Sequence, residues 1–139
     1  MKEIMAIVRM NRTGATKKVL VEAGVAGFTA IKVLGRGRPV ADPGALEERK
    51  SELLRMAHDD INDPADTEHQ VTTFLDGSRP FPRRLFTILV HDEDVPRVVE
   101  AITKVNRTEE GAGDGIILVV PVVDAVRVRT GETGEAAIW

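Results

Sequence analysis

Four short apolar runs and two amphipathic stretches alternate along the chain, and their order predicts most of the fold. Residues 2–9 (KEIMAIVR) place Ile4, Ala6 and Val8 on one face and Met5 and Ile7 on the other, which predicts a strand apolar on both sides. Residues 11–24 carry Ala15, Val19, Leu20 and Ala23 at helical spacing, with Lys17, Lys18 and Glu22 outward. Asn11 and Thr13 are candidate N-caps of this helix, and Gly24 suits the position just past its end. Residues 25–34 (VAGFTAIKVL) predict a second strand that runs into Gly35-Arg36-Gly37-Arg38-Pro39. Residues 83–91 (RRLFTILVH) predict a third, with Leu85, Thr87 and Leu89 on one face and Phe86, Ile88 and Val90 on the other. Asp92 or Asp94 then caps a second helix, with Pro96 tolerated in its first turn. Its buried stripe is Val95, Val98, Val99, Ile102 and Val105. Residues 116–120 are the fourth strand. Pro121 and Asp124 interrupt it, residues 125–129 resume it, and Ala136 to Trp139 adds a short edge strand.

Between the second and third strands, residues 39–81 fit no packed element. They hold Pro39, Pro43, Pro64 and Pro80 and many charges. Within them, residues 44–58 (GALEERKSELLRMAH) space Leu46, Leu53, Leu54 and Ala57 as a helix would, one formed against a partner. A loop longer than about fifteen residues in a compact domain is usually functional or disordered. The order β-α-β-loop-β-α-β is the split βαβ plan of an α+β, ferredoxin-like domain, with two helices on one face of a sheet. The strands are apolar on both faces, so the uncovered face predicts burial by self-association in a cyclic oligomer.

Composition narrows the function classes. The 139 residues suit a single domain, 1–139, with a modest core. Net charge is −3 and aromatics are few, four Phe, one Trp and no Tyr, which argues against nucleic acid as a partner. No cysteine is present, so disulfides and thiolate metal sites are excluded. The N-terminus has no signal-peptide pattern and no apolar run reaches membrane-spanning length, so the expectation is a cytoplasmic protein without membrane insertion. His58, His69 and His91 lie far apart, and His58 beside Asp59 and Asp60 reads as solvated, so no metal site is expected. Catalysis has no signature either: there is no Ser/His/Asp order and no carboxylate pair of the buried type, and the expectation is a protein that is not an enzyme.

The chemistry that does stand out is anion binding. Gly111-Ala112-Gly113-Asp114-Gly115 and Arg129-Thr130-Gly131-Glu132-Thr133-Gly134 bracket the last apolar run, and Gly35 to Arg38 is a third glycine–arginine turn. Glycines let backbone N–H groups approach an anion, and guanidinium forks match phosphate oxygens. On a strand, Arg127 and Arg129 would leave the same side. Each turn alone is more often only a turn, and surface arginines are more often solvated. Three such turns together shift the balance toward a phosphate ligand.

These segments resemble the PII signal-transduction family of nitrogen-regulatory trimers. MKEIMAIVR looks like its first strand, VLGRGR at 33–38 is similar to its V-x-G-x-G-R motif, and residues 111–138 match its GDG turn followed by R-x-R-T-G-E-x-G. The likeness covers nearly the whole chain apart from the middle of the long loop. VLGRG, RRLFTILV and the VNRT segment look closer to the nitrogenase-associated branch.

The resemblance implies a homotrimer with ATP or ADP in each cleft between neighbouring subunits, Mg2+ accompanying ATP, and no catalytic cofactor. By motif position, Gly37 and Arg38 would line the phosphates, and Gly113, Asp114, Gly115 and Ile116 would form the phosphate-cradling loop. Arg127 and Arg129 would reach in from the neighbouring subunit, and Thr29 and Leu89 would lie by the adenine. Residues 39–81 would be the T-loop, which docks on a target: a nitrogenase component, an ammonium transporter or another protein of nitrogen metabolism. In many members 2-oxoglutarate binds at the T-loop base.

Three departures bear on the ligand. Pro39 stands where the family has a Gln that helps hold magnesium and 2-oxoglutarate, and Pro brings neither a side-chain amide nor an N–H. Ile116 stands where it has a phosphate-contacting Lys. Arg83 corresponds to the Lys at the T-loop base and could pair a carboxylate effector. With no Tyr, the tyrosine modification known in some members is excluded.

Two function readings therefore stand inside the resemblance: an ATP/ADP-responsive regulator, and a sensor of altered ligand (ADP or AMP, no 2-oxoglutarate response). Two others share the fold plan. An RNA-recognition module would stack bases on strand aromatics, where only Phe86 qualifies. An acyl-phosphate hydrolase would need an Arg and an Asn on one phosphate, and no such local pattern is present.

Overall fold

The structure is a computed structural model, and it describes residues 1–37, 80–108 and 113–138. Six elements appear in chain order: strand β1 (Lys2–Arg9), helix α1 (Thr13–Glu22), strand β2 (Thr29–Gly35), strand β3 (Phe81–Val90), helix α2 (Val95–Asn106) and strand β4 (Gly115–Pro121). Short 3-10 turns at Met10–Arg12 and Asp92–Asp94 lead into the two helices, and a third spans Gly134–Ala137. The strands form one antiparallel sheet in the order β2-β3-β1-β4, the α+β arrangement of the ferredoxin-like plan. By its contacts the chain divides into two compact units, Met1–Lys32 with Arg84–Trp139, and Val33–Arg83. The core and the C-terminal turns belong to the first.

The core is the helix-facing side of the sheet. Ile4, Ala6 and Val8 of β1 and Phe86, Ile88 and Val90 of β3 are buried beneath Leu20 of α1 and Val98 and Ile102 of α2. Burying an Ile, Leu or Phe side chain stabilises by roughly 1.5–3 kcal/mol each. Phe28, just before β2, meets Phe86 edge-on with ring centroids 5.7 Å apart. The strand alternation thus sorts residues as the sequence predicts. In α1 the buried positions are Thr16 and Leu20, while Ala15 is only half-buried. A polar tie explains Thr16: its hydroxyl donates to the Arg12 carbonyl (2.8 Å) and accepts from Asn106 Nδ2 of α2 (3.0 Å), so the two helices share a hydrogen bond where they meet.

The other side of the sheet has no helix over it among the described residues. On β1 and β4, Met5 stands opposite Leu118 and Ile7 opposite Ile116. Ile31, Ile116, Leu118 and Val120 are all exposed on this face. It is the apolar surface for which the sequence predicts burial by self-association.

Several boundaries differ from the sequence reading. The second strand starts at Thr29, with Val25 and Phe28 packing on the core from the preceding coil. The third begins at Phe81 rather than Arg83, and neither helix has a side-chain N-cap hydrogen bond. Thr13 instead bonds the Met10 carbonyl, and Asp94 pairs with Arg97. Residues 125–129 do not resume the fourth strand. The β1–β4 register reaches Lys2 at Pro121, so the ladder runs out of partner strand there. The chain then forms a small hairpin with one bridge, Val126 to Thr133. The tail is not an edge strand either, because Gly134–Ala137 winds into the 3-10 turn. Arg38, Pro39, almost all of the 39–81 loop and the helix expected over 44–58 lie outside the described residues.

Candidate functional site

The Gly113–Gly115 turn is built against the end of β1. Val8 faces Gly115 across the ladder, so Arg9 comes next to the turn. Gly115 has φ +117, and a Cβ there would stand 2.0 Å from the Ile7 carbonyl oxygen, so only glycine fits. Gly113 also has positive φ, +85. Arg9 is 5% exposed. Its Nε donates to the Gly113 carbonyl (3.1 Å), and its Nη2 lies 3.2 Å from Asp114 Oδ1. Asp114 accepts further hydrogen bonds from the Thr108 hydroxyl (2.7 Å, Oδ1) and from the Thr108 backbone N–H (2.9 Å, Oδ2). The carboxylate between the two glycines therefore ties the turn to β1 and to the segment just after α2.

Ile116 continues from the turn onto the uncovered sheet face, 54% exposed. Leu89 lies on the same face, half-buried, between the core-facing Ile88 and Val90, and exposed Thr29 opens β2 beside core-facing Ala30. Gly37 is exposed beyond the end of β2, and Arg83 is half-buried, its Cγ passing within 3.8 Å of the space a side chain at Gly35 would take. Both belong to the second unit.

The arginine pair is arranged differently from the expectation of two guanidiniums leaving one side of a strand. The chain curls at 128–130, where Thr130 and Gly131 N–H groups both reach the Arg127 carbonyl (3.2 and 2.8 Å) and Gly131 has φ +74. Arg127 turns back on its own segment. Its Nη1 meets Glu132 Oε2 (2.6 Å), its Nη2 donates to the Ala136 carbonyl (3.1 Å) and its Nε to that of Ala137 (3.3 Å). Thr130 Oγ1 shares the same Glu132 oxygen (2.7 Å). Arg129 is exposed on the turn.

The 3-10 turn that Arg127 holds is fastened at its other side. Glu135 contacts the N-terminal ammonium (2.8 Å) and His91 Nδ1 (2.5 Å), and the ammonium also contacts Asp92 (2.9 Å). Hydrogen bonding to the ammonium holds both carboxyls below their usual range, with His91 adding to the effect on Glu135. The same two carboxylates push the ammonium up.

Known proteins of similar sequence place the chain in a family. The family model for nitrogen regulatory protein P-II matches residues 1–132. The chain belongs to the P-II family. It is 42% identical, over 99% of both chains, to the nitrogen fixation nifHD region GlnB-like protein 2 of Methanobacterium ivanovii. The nifHD1 region GlnB-like protein 2 of Methanosarcina barkeri is 36% identical over 99% of both chains. A nitrogen regulatory protein P-II of Cereibacter sphaeroides is 34% identical over 99% of this chain and all of its own. The nitrogenase-associated branch expected from VLGRG and RRLFTILV is thus the one that the first two relatives' names carry. P-II proteins are regulatory rather than catalytic and act through target proteins. No helix among the described residues is long and apolar enough to cross a membrane.

The sequence reading missed Arg9, Thr108, Glu132 and Glu135. For Arg9 no local signal was available, because the β1–β4 register and not sequence spacing brings it to the Gly113–Gly115 turn.

Proposed function

We propose that the chain is a non-enzymatic P-II regulator of nitrogen metabolism that works as a homotrimer and binds ATP or ADP in the clefts between subunits. The observation that best supports nucleotide binding is the Gly113–Gly115 turn. It has two positive-φ glycines in a fixed backbone, and its one carboxylate is neutralised from behind by Arg9. Rigid turns of this kind favour anions because little reorganisation is needed when the ligand arrives. The apolar sheet face supports self-association, since an exposed patch rich in Ile, Leu and Val is costly in water. Thr29, Leu89, Gly37, Arg38, Arg127 and Arg129 complete the nucleotide site in this reading. Magnesium would arrive with ATP, held by its phosphates, because Pro39 offers no side-chain ligand atom.

In this reading the protein is cytoplasmic and residues 39–81 would be its docking loop for a target: a nitrogenase component, an ammonium transporter or another nitrogen-metabolism protein. A difference between ATP and ADP in affinity for two loop states would move the loop between them, by no more than that difference allows.

A second reading, a sensor answering ADP or AMP without 2-oxoglutarate, is favoured by a specific observation. Ile116 puts a hydrocarbon on the uncovered sheet face at the position where the family carries a phosphate-contacting lysine. In the first reading, Arg83 would pair the carboxylate effector at the loop base. Titration calorimetry with ATP, ADP and AMP, each with and without magnesium and 2-oxoglutarate, separates the two readings. Sedimentation tests the trimer. Arg129→Ala is the cleaner arginine variant, because Arg127→Ala would also release the Ala136 and Ala137 carbonyls.

A further inference from the structure

We propose that Arg9 is the residue that positions the Gly113–Gly115 turn, and that Asp114 works inward as its anchor rather than outward on a ligand. The functional meaning of this grip rests on the nucleotide-binding reading above; the grip itself does not. An aspartate in the middle of a phosphate-cradling turn is at first sight misplaced, since a carboxylate aimed at a phosphate repels it. The contacts resolve the conflict. Both Asp114 oxygens are engaged from within the fold, by Thr108 and Arg9.

The guanidinium grips two consecutive residues at once, the Gly113 carbonyl through Nε and the Asp114 carboxylate through Nη2. That fixes orientation as well as place. The Gly113–Asp114 peptide is trans, so its C=O and N–H point in opposite directions. A carbonyl drawn toward Arg9 sends the Asp114 N–H to the opposite side. The next residue leaves no slack, because Gly115 is pressed onto the Ile7 carbonyl. The grip joins one buried guanidinium, one carboxylate and a neutral threonine. Removing either charge takes a charge-assisted contact away from the other. Arg9 lies 104 residues from Gly113 in sequence, so the turn's shape depends on the end of the first strand and not on its own glycines alone.

The test uses the full chain in nucleotide-free form. Amide hydrogen exchange is measured for the wild type, Arg9→Met, which keeps the aliphatic volume, and Arg9→Lys, followed by ATP calorimetry on each. Arg9→Met is expected to speed exchange at Thr108 and at 113–116 by about tenfold or more, leaving α2 unchanged, as loss of a charge-assisted hydrogen bond would. ATP affinity is expected to fall by about tenfold with the stoichiometry unchanged, since about 1.4 kcal/mol corresponds to each factor of ten. Arg9→Lys should restore part of both. If Arg9→Met folds, and exchange at 108–116 and ATP affinity equal those of the wild type, the proposal is overturned. If Arg9→Met does not fold, Thr108→Val takes its place: faster exchange confined to the turn supports the anchor, and unchanged exchange overturns it. A wild type that binds no adenine nucleotide, with exchange still faster in Arg9→Met, sinks the nucleotide reading and leaves the positioning role standing.

Discussion

The Gly113–Gly115 turn and the Arg127–Glu132 turn share ingredients, glycine, arginine and an acidic side chain, yet they are held in opposite ways. The first is fixed from a distance: Arg9, 5% exposed, arrives from another strand and grips backbone and carboxylate together. The second is fixed locally: Arg127 closes on Glu132 five residues later and on the carbonyls of the following 3-10 turn. Glycine and arginine spacing alone therefore does not tell whether a guanidinium serves a ligand or its own chain. What decides is where the arginine's carboxylate partner sits. In the first turn the carboxylate is held by Thr108 and by the buried Arg9. In the second it lies at the surface, and an incoming phosphate would compete with Glu132 for Arg127.

This contrast is broken most strongly at the glycines. Gly115→Ala places a Cβ 2.0 Å from the Ile7 oxygen at φ +117, and is expected to cost about 3 kcal/mol or more. Gly131→Ala, at φ +74 with nothing within 4 Å, should cost only about 1 kcal/mol. Urea unfolding at one fixed protein concentration compares them, since an oligomer's stability depends on concentration. Equal costs would mean that the first turn is no more constrained than the second.

The anchoring carboxylates come next. Asp114→Asn removes one charge-assisted contact of the buried Arg9 and should cost about 2 kcal/mol, a value reduced because Asp114 is 26% exposed. Glu132→Gln breaks a pair whose carboxylate is 46% exposed and should cost under about 1 kcal/mol. The same unfolding measurement ranks the two, and a reversed order would contradict the inside–outside assignment.

How far the sequence could be read follows the same division. The strand and helix pattern was legible because period-2 and period-3.6 burial are local, and Phe86, Ile88, Val98 and Ile102 fall where the alternation puts them. The Gly113–Gly115 turn was legible as a feature, and so was the family. Its support was not, because Arg9 and Asp114 are brought together by sheet register and not by spacing. The strand expected over 125–129 failed for a non-local reason too, the exhaustion of β1 at Lys2. Thr16 was overlooked because its burial depends on Asn106 of the other helix.

The smallest expected effect concerns acid. Glu135 and Asp92 have lower pKa values in the folded chain than their ordinary 4.5 and 3.8, chiefly through the N-terminal ammonium. Their stabilising contribution is complete above those ordinary values and disappears as the pH falls through the lower, folded-state ones. Both groups are exposed, so the effect is small. Melting temperatures of the wild type and Glu135→Gln, followed from neutral pH downward, should converge in acid as the wild type loses its advantage. A gap that widens in acid would have the wrong sign.

Membership of the Gly113–Gly115 turn in an adenine-nucleotide site is tested most directly by calorimetric titration of the full chain and of Gly113→Val. Gly113 has φ +85, so a β-branched residue there distorts the turn. Saturable binding of ATP or ADP by the wild type is expected, with its loss in a Gly113→Val protein that still folds and assembles. Absence of adenine-nucleotide binding to the wild type, or undiminished binding to Gly113→Val, would refute that membership.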